Sequence, residues 1–219
     1  MHKLYLTNTS LSLVEEGAFG SASPLLNSLE ELELSHNAFV SIPIAGVSEL
    51  RALRSLDLNS NRIAEVQPYT FLYYQSRSLL ENLDLSANVL EQLGPESLLG
   101  LESLRRLSLD KNHFKSMPSQ ALRPVSGSLE ELCMSVNQVD YVSPEDLPLM
   151  GKLRSLSLEV NRIAYIEPEF FQQTPQLYYL YLSSNAFSGL DPEMLEPLAQ
   201  LRVLAMNRNM VSRLGRECK

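Results

Sequence analysis

From Leu4 to Val211 the chain repeats one hydrophobic phrase: leucine, two residues, leucine, one residue, leucine or methionine, two residues, asparagine, one residue, apolar. Asn37, Asn61, Asn88, Asn112, Asn137, Asn161, Asn185 and Asn209 close its successive occurrences. Openings at Met1, Leu29, Leu53, Leu80, Leu104, Leu129, Leu153, Leu177 and Leu201 give steps of 28, 24, 27, 24, 25, 24, 24 and 24 residues by subtraction. In the stretch from Leu153 to Leu158, Leu156 and Leu158 sit two apart, so an extended segment turns both to one face and Ser155 and Ser157 to the other. Each coil therefore contributes a short strand with one buried side. All coils run the same way, so the strands stack in parallel and neighbours bury a leucine row that none could bury alone. About nine coils are expected.

The asparagine follows where the chain bends inward, and its amide supplies both a donor and an acceptor for backbone groups that the turn leaves unpaired. Beyond it, Ile163, Ile166 and Phe171 match Ile63, Val66 and Phe71, or Phe187, Leu190 and Leu195, as core positions under the outer surface. Proline recurs at Pro68, Pro95, Pro144, Pro168 and Pro192, followed by glutamate at Glu96, Glu145, Glu169 and Glu193. Proline suits the first position of a helix and an acid favours its dipole there, which predicts a short helical or 3₁₀ turn on each outer face.

Repetition without a Gly-, Pro- or Ser-rich linker makes residues 1–219 one elongated domain, and both ends are expected to lack caps. A net charge of -8 disfavours a general nucleic-acid or anionic-membrane binder and points to a protein partner. No apolar run approaches the roughly 18 residues of a membrane span. Cys133 and Cys218 lie about three coil spacings, or roughly 14 Å, apart, beyond disulfide reach, so two free thiols are expected. Cys133 is expected to point outward as an exposed thiol.

The phrases, with Phe19, Phe71 and Phe171 at one coil position, resemble the 24-residue extracellular class of the leucine-rich repeat family, and the Ser-Leu-Glu-Glu-Leu openings at Ser28 and Ser128 are similar to chaoptin-like, adhesion-type members. The resemblance implies an α/β, right-handed solenoid with a curved parallel sheet on the concave face and short helical turns on the convex face. It also implies binding of a protein ligand or a homophilic partner through that sheet, outside the cell or on its surface. An intracellular scaffold or regulatory subunit using the same face is the alternative.

Coils alternate in character. One variable position reads Glu30, Arg54, Glu81, Arg105, Glu130, Arg154, Tyr178, Arg202, which fits duplication of a two-coil unit and places unlike charges opposite each other on stacked strands. Tyr178, Tyr179 and Tyr181, flanked by Arg154, Arg202 and Arg208, form the candidate contact site, because tyrosine and arginine dominate interface hot spots. Glu31, Glu33, Asp57, Asp84, Asp110 and Glu131 form an acidic strip suited to steering a basic partner. Asn8, in Asn8-Thr9-Ser10, is the one glycosylation sequon. His2, His36 and His113 occupy different coil positions, and no nucleophile, base and acid set is readable, so no metal, cofactor or catalysis is expected.

Overall fold

The computed structural model describes residues 1–19, 23, 25–72, 79–190 and 192–214. Nine three-residue strands build one parallel sheet: β1 (Lys3–Tyr5), β2 (Glu31–Glu33), β3 (Ser55–Asp57), β4 (Asn82–Asp84), β5 (Arg106–Ser108), β6 (Glu131–Cys133), β7 (Ser155–Ser157), β8 (Tyr179–Tyr181) and β10 (Val203–Ala205). Strand follows strand in sequence order, so every coil pairs with its immediate neighbours. The register aligns the middle leucines, Leu4, Leu32, Leu56, Leu83, Leu107, Leu132, Leu156, Leu180 and Leu204, in one row. From Leu32 to Leu180 that row is buried. Truncating one of these leucines to alanine costs about 2–5 kcal/mol, since each fills space between two coils.

The asparagines lie beneath the sheet's edge, and their bonding is shared between coils. Each Oδ1 accepts the backbone N–H two residues past the preceding coil's asparagine, as Asn112 does from Leu90 at 3.0 Å and Asn137 does from Phe114 at 3.0 Å. Each Nδ2 donates to a leucine or methionine carbonyl of its own coil and to that of the coil before; Asn112 reaches Leu109 at 3.1 Å and Leu85 at 3.0 Å. Every such internal carbonyl therefore receives two amides, Leu85 from Asn88 and Asn112, Leu109 from Asn112 and Asn137. In the first coil Thr9 stands at the asparagine position, and its hydroxyl donates to the Leu6 carbonyl at 3.2 Å. The turn between strand and asparagine holds one left-handed residue per coil, among them His36, Ser60, Ala87, Lys111, Val136, Val160, Ser184 and Arg208, all with φ of 51–58°. Val136 and Val160 are β-branched, the side-chain class least suited to that conformation.

On the convex side Phe19, Phe71 and Phe171 are buried as expected, and Phe170 meets Phe171 edge to face at 5.0 Å. Leu190 and Leu195 are only partly buried against the core. Prolines open 3₁₀ turns at Pro144–Asp146, Pro168–Gln173 and Pro192–Leu195. The expected helical turn does not form after Pro68 or Pro95, where the chain makes plain turns. Tyr69 is left-handed, at φ 63°, and its N–H reaches across to the Glu96 carbonyl at 3.1 Å, a bond between coils where a helix would bond within one. Two short α-helices, α1 (Ile44–Val47) and α2 (Ser119–Leu122), follow Pro43 and Pro118 instead. A second small parallel sheet, β9 (Gly189–Leu190) with β11 (Arg213–Leu214), was not foreseen.

Candidate recognition face

Alternation along the strands turns a set of polar and aromatic side chains to the inner face. Along its first edge the alternating charges form a connected ladder. Glu81 pairs with Arg54 and, at 3.8 Å, with Arg105; Glu130 pairs with Arg105 at 3.2 Å and with Arg154 at 3.9 Å. Exposed pairs of this kind contribute only about 0–1 kcal/mol each, so the ladder mainly sets register. Tyr178 takes an acid's place in it: the Arg202 guanidinium lies 4.6 Å and the Arg154 guanidinium 6.0 Å from its ring centre. The π-face replaces a carboxylate between two cations.

The proposed contact cluster is thus divided by the fold. Arg154, Tyr178 and Arg202 belong to the edge ladder, while Tyr179 and Tyr181 stand on the inner sheet face, with Tyr179 perpendicular to Tyr178 at 6.5 Å between ring centres. Arg208 lies past the far end of β10, in the left-handed turn, away from this edge. Val203 is exposed next to Tyr179, with which it pairs in register, and Ala205 pairs with Tyr181. Beside Tyr181, Ser183 is buried and its Oγ has no hydrogen-bond partner. Sequence reasoning missed it, because serine at this coil position recurs in Ser35, Ser86 and Ser135 and gives no hint of an orphaned hydroxyl.

Toward the first coils the face becomes a trough of about 300 Å³ lined by Glu31, Glu33, Asp57, Asp84, Arg106, Glu131 and Cys133, among others. Lys3 pairs with Glu31 at 2.7 Å and Arg106 with Glu131 at 3.2 Å. Glu33, Asp57 and Asp84 instead lie directly opposite one another in register, a like-charge column. Burial pushes the Asp57 carboxyl above the usual range, opposed by the Asn59 N–H at 2.8 Å and reinforced by Asp84. Burial likewise raises Glu33, helped by Asp57, and Asp110, where the Ser135 N–H at 2.5 Å opposes it and Asp84 and Glu159 add to it.

Cys133 departs from expectation: it is half-buried, not exposed, because it sits in register between Ser108 and Ser157 on the curved inner wall. Burial, then Asp110 and Glu131, push its thiol up to about 12, and the thiol donates to Glu131 at 3.8 Å. Cys218 lies outside the described residues. Asn8 is exposed, with φ 53°, and Thr9 beside it is occupied by the asparagine network. Among the described residues no group of His, Cys, Asp or Glu side chains is arranged to hold a metal ion, and no helix is long and apolar enough to cross a membrane.

A curved parallel sheet with turns behind it, an asparagine network along its edge and an open inner wall define a solenoid of the recognition-scaffold type. A Leucine rich repeat family model matches residues 1–63, 51–114 and 151–211, and the chain belongs to the leucine rich repeat family. Among curated proteins it is 37% identical over 129 residues to Tsukushi of Xenopus tropicalis, covering 58% of this chain and 35% of that protein. It is 32% identical over 123 residues to Toll-like receptor 9 of Equus caballus, covering 54% of this chain and 11% of the receptor. Among solved structures it superposes on TLR13 in a TLR13–ssRNA13 complex with a TM-score of 0.83 at 26% identity, over 94% of this chain and 28% of that one. A leucine-rich repeat protein of Leptospira interrogans gives 0.78 at 27% identity, over 95% and 49%. The chain thus resembles receptor-type proteins while spanning about a third or less of the curated relatives named here.

Proposed function

We propose that this chain is a non-catalytic protein-recognition module of the cell-surface or extracellular receptor and adhesion type, which binds a protein ligand through its concave sheet. The observation that carries this reading is the open inner face, where Tyr5, Tyr179 and Val203 stand exposed on strands whose opposite sides are packed into the core. Tyr179 and Tyr181 make the contact, and Arg154, Tyr178 and Arg202 brace them from the edge. Arg208 contributes from the turn side. Likeness to Tsukushi and to Toll-like receptor 9 supports the receptor-type setting. The nucleic acid bound by TLR13 is a poor guide here, because a phosphate backbone would meet Glu33, Asp57 and Asp84.

A glycan wedge tests the face. Ser155→Asn writes an Asn-Leu-Ser sequon onto the inner wall, and Ser126→Asn writes Asn-Gly-Ser into the loop before β6, off the sheet. The full chain, secreted from cultured cells with each glycan verified by mass spectrometry, is then assayed for binding to intact cells and to extracellular matrix. Loss with the first glycan and retention with the second is the expected result; binding untouched by the inner-wall glycan overturns the proposal. Glycan on Asn8 of the secreted, unmodified chain is also expected. An intracellular scaffold, the reading that the free Cys133 favours, predicts binding to neither surface.

A further inference from the structure

The inner wall changes in chemistry from one end to the other, and this gradient constrains what can lie on it. At coils two to five Glu33, Asp57 and Asp84 are stacked in register, with Asp110 alongside, and among the described residues no cation pairs with any of them. The neighbouring acids Glu31 and Glu131 are matched by Lys3 and Arg106. This set, outside the salt bridges though Lys3 acts on Glu33 and Lys111 on Asp110, is therefore a distinct acidic strip. At coils eight and nine the same wall turns aromatic and apolar through Tyr179, Tyr181 and Val203. There the buried Ser183 Oγ lacks any partner, whereas Ser135 in the same column bonds Ser157 at 2.6 Å. That hydroxyl lies beneath the wall surface, so the contact offered there is the aromatic and apolar one.

We propose that the wall holds one protein segment in a fixed direction, its lysine or arginine side chains over Glu33, Asp57 and Asp84, and an apolar side chain against Tyr181 and Val203. This rests on the concave-face reading above and adds the partner's chemistry and polarity. Five strand spacings of about 4.8 Å separate the coil of Asp57 from that of Tyr181, roughly 24 Å, which an extended segment covers in about seven residues. A second copy docked face to face in the same direction would set one acidic strip against another on a protein of net charge -8, which disfavours that arrangement.

The probes are synthetic peptides: an arginine block joined by an extended spacer of about seven residues to a Leu-Phe pair, each half alone, and the same two ends on a spacer of about two residues. Affinities come from fluorescence anisotropy on the full chain at low and moderate salt. The long-spacer peptide is expected to bind about tenfold tighter than either half and than the short-spacer peptide. Asp57→Asn with Asp84→Asn should reduce it to the affinity of the apolar half, and Tyr181→Ser to that of the arginine block, with circular dichroism confirming that each variant is folded. The proposal is overturned if the arginine block alone equals the full peptide, if spacer length is immaterial, if a single-stranded RNA oligomer competes, or if sedimentation shows a dimer that Tyr181→Ser dissolves. Peptide failure together with a blocking glycan at Ser155 would remove this partner chemistry and leave the concave-face reading standing; a glycan without effect would remove both.

Discussion

Replacing Asn112 with alanine removes every bond of a buried amide, yet it leaves only one group without a partner. The Leu90 N–H loses its acceptor outright. The Leu85 carbonyl keeps Asn88 at 3.0 Å, the Leu109 carbonyl keeps Asn137 at 3.0 Å, and the Asp110 carbonyl keeps the Ala87 N–H at 2.8 Å. One orphaned N–H at about 1–3 kcal/mol and three weakened carbonyls give an expected loss of about 2–4 kcal/mol. Sharing makes the next step informative. When Asn88→Ala is added, Leu85 loses both donors, so the pair should exceed the sum of the single losses by about 1–3 kcal/mol. Asn112 and Asn161 share no carbonyl, and their double variant should be additive within about 0.5 kcal/mol. Urea unfolding of the full chain, followed by far-ultraviolet circular dichroism, gives both cycles, with threonine replacing alanine if the doubles do not fold, as Thr9 does naturally in the first coil. Equal coupling for the near and the distant pair would refute the shared-carbonyl account.

Further expectations concern backbone, charge and thiol. Gly100 has φ 99°, and a Cβ there would lie 2.6 Å from the Phe71 carbonyl oxygen, so Gly100→Ala should lower the unfolding free energy from urea titration by about 2–4 kcal/mol while Gly151→Ala, with open space, changes it little. Because the folded carboxyls of Glu33, Asp57 and Asp110 are raised, their stabilising contribution is full below the ordinary carboxylate range and is lost as pH rises through the folded values. The melting temperature should therefore climb as pH falls from neutral toward that range, and Asp57→Asn should raise it at neutral pH and flatten the profile. Tyr178→Glu should keep the edge ladder intact at low salt, whereas Tyr178→Ala should lose up to about 1 kcal/mol, both read from thermal melts. Alkylation of Cys133, followed by peptide mass spectrometry, should run at least about tenfold slower folded than unfolded, since burial pushes the thiol up to about 12; equal rates would contradict its burial.

Much of this fold was legible because it is periodic. Leu32, Leu56 and Leu83 could be aligned by counting, and the register confirms the count residue for residue. The alternation of Glu81, Arg105 and Glu130 was readable for the same reason, since stacked coils convert sequence period into spatial adjacency. What escaped depends on how each coil closes. Pro68 shares the proline of Pro168 without the acid that follows it, and the left-handed Tyr69 diverts its backbone to the next coil. Tyr178 and Tyr179 are adjacent in sequence and divided in space, one between two arginines and the other on the wall. Neither the burial of Cys133 nor the orphaned Ser183 follows from the repeat pattern, because both depend on which side chains the adjacent coils place beside them.

The charged edge also constrains how such a molecule can change length. Excising the coil that carries Glu81 would bring Arg54 against Arg105, whereas excising it together with its successor would set Arg54 beside Glu130 and keep attraction throughout. Growth and shrinkage in twos are thereby favoured over odd steps, an electrostatic parity along the edge.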